Sequence, residues 1–413
     1  MDAKQSLPLL GHLTPAQFMR RHWQKKPLLV RQALPGFKPL LTRQALFALA
    51  GGDQVESRLI RRSGQGWTMK AGPLGRRGLP PVATPGWTLL VQGVDLHHAG
   101  VHALLGQFRF LPDARLDDLM ISWASEGGGV GPHVDSYDVF LLQASGRRRW
   151  QIGRPRDVRL QTDVPLKILQ HFEPEEEFTL DAGDMLYLPP GYAHDGIALA
   201  GNEGAGQPAD CMTYSIGFRA PGRDALAAQL LHRLADFAED QADGAGSGKQ
   251  RLYRDGAQRA TDQPGKMPKA LLGFARKAVE RAMADPLALA CALGELMTEP
   301  KPSVYFDALH RDDAAEGPPE GAPEDTLQLP DLSATGLALS AKTRMLYDDD
   351  HIFINGESYR ARGADAALMH KLADARTLSA LRLRRASPEA LALLRDWQVA
   401  GWLCALPPSA ASA

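Results

Sequence analysis

The sequence predicts a mainly β protein with α-helical additions: a sandwich, barrel or jelly roll first, then a helical region, then a small strand–helix module. Three observations carry this. Between residues 87 and 218 the apolar runs are short, rich in β-forming residues and separated by Gly/Pro turns. After Pro221 the apolar residues change to helical spacing, up to about residue 305. Beyond a Pro-, Gly- and acid-rich stretch at 311–326, strand patterns joined by turns precede two further helical patterns, as in a winged-helix module.

The elements follow in order. "TPAQFMRRHWQ", residues 14–24, reads as a helix, with Thr14 as N-cap, Pro15 at the first helical position and Gln17 completing a capping box. "PLLVRQAL" reads as a short strand. "WTLLVQGV", "DLMISWA", "DVFLLQA", "RRRWQIG", "EEFTLDAGDMLYLPPG" and "CMTYSIGFRA" each read as one strand. "GRDALAAQLLHRLADFAEDQA" and "KALLGFARKAVERAMADPLALACALGELMTE" read as helix, on either side of a loop poor in aliphatics. "MLYDDDHIFINGESYRA" reads as strands turning at Asn355-Gly356, followed by helices in "ADAALMHKLADA" and "SPEALALLRDWQVAGWL". The expected layout is a β domain at 1–221, a helical domain at 222–310, a linker at 311–330 and a winged-helix-like domain at 331–413.

Composition narrows the class. The 413 residues are 44% hydrophobic and 23% charged, ordinary for a globular protein. A net charge of −1 argues against bulk nucleic-acid coating and leaves room for a local basic patch. Cys211, Cys291 and Cys404 form no CxxC and no zinc spacing, so they are expected to be reduced, mostly buried residues of a cytosolic protein. The first residues lack the apolar core of a signal peptide, and no run approaches about 18 apolar residues, so no membrane span is expected.

The chemistry centres on "EGGGVGPHVDSYD", residues 126–138. Its glycines fit neither a P-loop nor a dinucleotide fingerprint, and a β-type run follows them rather than a helix. They read as a flexible turn that leaves room beside the next residues. His133 and Asp135 are two apart, so on a strand both point to one side. "GDMLYLPPGYAH" then spaces Gly183, Pro189, Gly191 and His194 in a way that resembles the second metal motif of cupin barrels. Two His and one carboxylate form a facial triad that leaves three positions of an octahedral Fe(II) open. No cysteine accompanies it, which argues against structural zinc. In "GRRRWQI", Arg148, Trp150 and Ile152 share a face. An inward Arg148 needs an anion, and a ligand carboxylate suits its guanidinium. Ser122 on "MISW" adds a hydroxyl.

"GPHVDSYDVFLLQASGRRRW", "GDMLYLPPGYAHDGIAL" and "YSIGFRAP" together resemble the JmjC-type 2-oxoglutarate- and Fe(II)-dependent oxygenases. More closely they resemble the bacterial ribosomal oxygenases, which hydroxylate an arginine of a large-subunit ribosomal protein. The resemblance covers most of residues 1–220, and the later regions match by organisation. It implies a double-stranded β-helix of the cupin/JmjC type, a helical dimerisation domain making a homodimer, and a winged-helix domain. It implies iron on His133, Asp135 and His194, and 2-oxoglutarate on Arg148 and Ser122, with dioxygen as cosubstrate. Tyr137 and Glu126 are the residues expected to meet a substrate guanidinium. A generic cupin carries Asn four residues after its motif-two His; here that position is Ala198, which counts against a simple cupin. Other JmjC activities (lysine or arginine demethylation, histidine hydroxylation) and a non-catalytic cupin-like binding protein are the alternatives. Whether the terminal module touches RNA is left open by the residues.

Overall fold

The computed structural model describes residues 3–64, 66–200, 210–244, 252–254, 256, 263, 265–308 and 331–406. The linker expected at 311–330 and most of the loop before residue 265 lie outside them. The chain divides into two compact units, Met1–Ala220 with Pro302–Tyr305, and Pro221–Lys301 with Phe306–Ala413.

The first unit contains helices α1 (Pro15–Arg21), α2 (Arg43–Leu49) and α3 (Ala99–Gly106), and twelve strands. These are β1 (Leu28–Val30), β2 (Ser57–Ser63), β3 (Gly66–Ala71), β4 (Trp87–Val91), β5 (Leu116–Ala124), β6 (His133–Val134), β7 (Asp138–Ser145), β8 (Arg148–Gly153), β9 (Glu176–Leu180), β10 (Met185–Leu188), β11 (Ala193–Ala198) and β12 (Cys211–Phe218). They form an eight-stranded sheet, β1-β10-β7-β12-β5-β4-β2-β3, and a four-stranded sheet, β6-β11-β8-β9. Every pairing is antiparallel, giving the expected double-stranded β-helix.

The strands β10, β7, β12, β5 and β4 of the large sheet are largely buried on both faces, which explains their nearly continuous apolar sequences. In β7, Phe140, Leu142 and Ala144 pack into the cluster that contains Phe18, Trp23, Leu46 and Leu105 from the helical side. Val139 and Leu141 instead pack with Trp150, Ile152 and Leu180 of the small sheet. Along β5 and β12, Leu119, Ile121 and Trp123 and Met212, Tyr214 and Ile216 take the helical side. The intervening Met120, Ser122, Thr213 and Ser215 line a cavity between the sheets.

The N-terminal capping box is present: Gln17 N–H donates to Thr14 Oγ1 at 3.1 Å, and Thr14 N–H donates to Gln17 Oε1 at 2.9 Å. The helix stops at Arg21, however, and Gln24 takes φ 54°. "EEFTLDAGDMLYLPPG" is two strands rather than one, because the chain leaves the small sheet at β9 and enters the large sheet at β10 through the turn 181–184. Asp184 fastens that turn to β1. It accepts from the N–H groups of Gln32 at 2.9 Å and Asp181 at 3.1 Å, and from Arg31 Nη1 at 2.7 Å.

In the second unit the helices are α4 (Arg223–Gly244), α5 (Lys269–Met283) and α6 (Pro286–Thr298). The long helical pattern breaks at Asp285, which caps α6 by accepting from Leu287 N–H at 2.9 Å. The last region has α7 (Leu332–Thr335), β13 (Leu337–Leu339), β14 (Met345–Tyr347), β15 (His351–Ile354), β16 (Glu357–Arg360), α8 (Gly363–Ala375), β17 (Thr377–Leu378), α9 (Ala380–Leu383), α10 (Pro388–Val399) and β18 (Leu403–Ala405). Two three-stranded sheets, β17-β13-β18 and β14-β15-β16, share a core with α8 and α10 around Leu372, Leu394 and Trp397. The β15–β16 turn is the Asn-Gly pair, with φ 49° and 89°. Helix α6 packs on β14–β16, where Gly294 lies against the Phe353 ring. Of the three cysteines only Cys211 is buried, and Cys404 is exposed on the short strand β18; the expectation of mostly buried thiols was too broad.

Burial pulls the Asp184 pKa up, but the Gln32 N–H, Arg31 and the Asp181 N–H outweigh it and hold the carboxyl below the usual range. A depressed folded-state pKa adds stability above the unfolded value of about 3.9, and that stability is lost as pH falls through the folded value. Asp184→Ala is therefore expected to lower stability at neutral pH by about 2 kcal/mol. In urea unfolding, its deficit against wild type should shrink on acidification below about pH 3.9; a constant deficit would exclude this electrostatic origin.

Candidate active site

The site begins with a two-residue pairing. In the β6–β11 ladder His133 lies directly opposite His194, and Val134 opposite Ala193. Both imidazoles point into the space between the sheets, with ring centroids 4.2 Å apart. Each is oriented through Nδ1 by a carbonyl two residues back: Gly131 O for His133 at 2.9 Å and Tyr192 O for His194 at 3.2 Å. With Nδ1–H donating there, both Nε2 lone pairs are free to face a common point. Asp135 Oδ2 faces the same point, 3.8 Å from His133 Nε2 and 3.5 Å from His194 Nε2. The Gly191 N–H donates to Asp135 O at 3.0 Å, which joins the Pro-Gly turn of the second motif to the first. Burial first, and the neighbouring His133 second, hold the His194 imidazolium down to about 4, so His194 is in the neutral, ligating form.

The three ligand atoms lie within 4.8 Å of one another, and this is the only such group of three His, Cys, Asp or Glu side chains among the described residues. Two imidazole nitrogens and one carboxylate oxygen on one side of a partly open cavity suit a divalent iron-type ion with free positions.

The cavity measures about 220 Å³. Arg148 and Trp150 line it from β8, Met120 and Ser122 from β5, Thr213 and Ser215 from β12, and Arg58 and Ile60 from β2. Arg148 is 3% exposed, and its Nε and Nη2 have no hydrogen-bond partner. Its guanidinium lies 5.6 Å from the Trp150 ring centroid. Asp195 lies within its electrostatic reach, but among the described residues no carboxylate forms an ion pair with it, and a buried guanidinium so placed fits a ligand carboxylate. Ser122 Oγ donates to Thr213 O at 3.4 Å, and Thr213 Oγ1 donates to Gln143 Oε1 at 2.9 Å.

Tyr137 also lines the cavity. Burial, then the charge of Asp135 and a hydrogen bond to it, raise the Tyr137 pKa, with Asp118 and Asp117 adding to the effect. The phenol is therefore a donor to the ligand carboxylate. Glu126 is exposed and does not line the cavity; its carbonyl accepts from Gly86 N–H at 2.9 Å.

The glycines need a correction. They are not a flexible approach. Gly128 and Gly129 are buried, and a Cβ at Gly128 would lie 2.4 Å from Trp87 O, one at Gly129 2.6 Å from Gly196 O. Their missing side chains let the loop press against β4 and β11. Thr213, Ser215 and Arg58 were not singled out by sequence. The alternation of Thr213 and Ser215 in "CMTYSIGF" was a usable signal, since Thr213 pairs with Ser122.

Residues 103–226 match the JmjC domain family and residues 281–404 the ROXA-like winged helix family. The structure of Escherichia coli YcfD aligns with a TM-score of 0.74 and 30% identity, covering 95% of this chain and 98% of that one. The chain belongs to the JmjC ribosomal oxygenases. Another structure of this family, a ribosomal oxygenase from E. coli in complex with cobalt and 2-oxoglutarate, aligns with a TM-score of 0.70 and 30% identity over 95% and 98% of the two chains. The E. coli ribosomal protein uL16 3-hydroxylase is 38% identical over 221 residues, 53% of this chain and 55% of that protein. In such sequence alignments the chain spans about half the length of the curated relatives it matches.

Titrated with Co(II) and followed by visible absorption, the protein is expected to give a ligand-field spectrum. His133→Ala and His194→Ala should each weaken binding at least about tenfold with unchanged circular dichroism. Wild-type affinity in both variants would exclude this centre.

Proposed function

We propose that the protein is an Fe(II)- and 2-oxoglutarate-dependent oxygenase that hydroxylates an arginine side chain of a large-subunit ribosomal protein in the cytoplasm. The observation that carries it is the unpartnered Arg148 guanidinium in the same cavity as the His133–Asp135–His194 group. The named activity of the E. coli relative, a ribosomal protein uL16 3-hydroxylase, gives the substrate class.

In this reading His133, Asp135 and His194 hold the iron. Arg148 receives the distal carboxylate of 2-oxoglutarate, and Ser122 contacts the same molecule. When bound, iron with 2-oxoglutarate and dioxygen supplies an oxidant for an unactivated C–H bond, with succinate and CO2 as co-products. The chain's own work is positioning and exclusion. Tyr137 steadies Asp135 by donating to its carboxylate. Trp150, Val139 and Leu141 keep the inner wall dry. Tyr137, within the field of Asp117 and Asp118, offers an arene and negative potential to a guanidinium, and Glu126 offers a carboxylate farther out.

The organisation proposed is a JmjC domain at 1–221, a helical domain at 222–310 that forms a homodimer, a linker at 311–330 and a winged-helix-like domain at 331–413. Support for dimerisation comes from α5, where Leu272, Val279 and Met283 recur on one helical face at 54%, 56% and 51% exposure.

Mass spectrometry of the large-subunit ribosomal protein incubated with enzyme, iron and 2-oxoglutarate is expected to show a gain of one oxygen, about 16 Da, on a single arginine-containing peptide. Arg148→Ala should raise the KM for 2-oxoglutarate by at least about tenfold. An unchanged KM would remove Arg148 from the cosubstrate site, and no modified peptide with wild-type enzyme would remove the substrate assignment. In sedimentation analysis Leu272→Glu/Val279→Glu should be monomeric; a dimer at wild-type strength would place the interface elsewhere.

A further inference from the structure

Residues 57–94 carry six cations, Arg58, Arg61, Arg62, Lys70, Arg76 and Arg77, and no carboxylate. In the whole chain 47 Lys and Arg are balanced by 48 Asp and Glu. Arg58 is paired with Glu56, just before this segment, at 3.1 Å; the other five lie on the β2–β3 hairpin and the 3-10 turn Arg76–Gly78 that follows it. Arg61 pairs with Thr68 and Leu59 with Lys70, so Arg61 and Lys70 are diagonal neighbours on one face. Lys70 Nζ lies 3.6 Å from where a Cβ of Gly78 would stand, at the turn that carries Arg76 and Arg77. These four side chains are exposed, and among the described residues none of them forms an ion pair. On the opposite face Arg62 lies over the Trp67 ring, 5.4 Å from its centroid. Trp67 in turn borders Gly131, whose carbonyl orients His133, and Arg58 and Ile60 line the metal cavity.

We infer that the Arg61–Lys70 face of this hairpin, with the turn that follows it, is a docking surface for the phosphate backbone of RNA, on the side of the sheet opposite the one that lines the metal cavity. A row of uncompensated cations on a strand pair suits evenly spaced phosphates, and guanidinium groups bind phosphate bidentately. Since β3 is the sheet's edge, charge there also blocks strand pairing, but that purpose is met by a lysine or two and does not call for four unpaired cations running into the following turn. The inference rests on the ribosomal reading for its sense: a ribosomal protein is met in the company of RNA. It goes beyond that reading in giving the catalytic domain its own RNA contact.

The test is fluorescence anisotropy of the full chain with a labelled single-stranded RNA of about 16 nucleotides. Measured between about 50 and 200 mM salt, log affinity should fall against log salt by roughly 0.7 for each phosphate contacted. Arg61→Ala/Lys70→Ala/Arg76→Ala/Arg77→Ala should bind at least about tenfold more weakly with a shallower slope. It should hydroxylate the isolated protein substrate as wild type does. The milder Arg76→Ala/Arg77→Ala should lose part of the affinity, and Arg76→Lys/Arg77→Lys should keep most of it. Wild-type RNA affinity in the alanine variants overturns the inference, as does displacement of RNA by polyglutamate at equal charge, which would assign the surface to an acidic protein. Absence of RNA binding with intact hydroxylation sinks this inference alone; RNA binding without hydroxylation sinks only the proposed function.

Discussion

The whole site depends on the register of one very short strand. Strand β6 contributes only His133 and Val134, yet its pairing with Ala193 and His194 decides where both imidazoles point. A slip of one residue would turn His133 to the other face of the sheet and separate it from His194 and Asp135. Three backbone hydrogen bonds flank the ladder. Gly191 N–H reaches Asp135 O beyond the strand, and before it Gly127 N–H and Ala198 N–H bond across to Ala198 O and Gly128 O. This is why the glycines are needed where they are: Gly129 sits against the Gly196 carbonyl, at a separation no side chain would allow.

The rest of the domain makes that register rigid. Strands β7 and β10 contribute to two cores at once, one facing the helices and one facing the small sheet. Moving either strand would disturb both. Asp138 closes the arrangement from below: fully buried, it accepts from Tyr187 Oη at 2.6 Å, Gln24 Nε2 at 3.2 Å and Arg115 Nη2 at 3.1 Å. It directly follows Tyr137, so the buried network fixes the chain just after the ligand pair. The site's polar groups thus stand on a frame that tolerates little movement.

Much of this was legible in the sequence because period-2 alternation is a local property. His-x-Asp and Arg-x-Trp-x-Ile stated which side chains share a face, and β8 buries Arg148, Trp150 and Ile152 as that pattern requires. The Thr14 capping box and the Asn355-Gly356 turn are equally local. What failed was non-local. The β2–β3 hairpin carries too many arginines to look like a strand, and its pairing with β4 overrides that composition. The turn at 181–184, Asp-Ala-Gly-Asp, does carry a local turn signal that the single-strand reading passed over, but only the fold reveals that the chain changes sheets there. The crowding that demands Gly128 and Gly129 comes from strands about 40 and 70 residues away in sequence, so the same letters read as a flexible turn.

Arg148 has one more consequence. Among the described residues, Arg148 is held at 3% exposure with no close ion pair and with Nε and Nη2 lacking hydrogen bonds, which is a cost to the folded state that a fitting anion relieves. In the proposed function, a dicarboxylate bound at Arg148 adds stability with the logarithm of its concentration. Succinate and 2-oxoglutarate both carry the carboxylate this guanidinium lacks. On the proposed reading, the residue that receives the cosubstrate is then also one through which small diacids stabilise the fold.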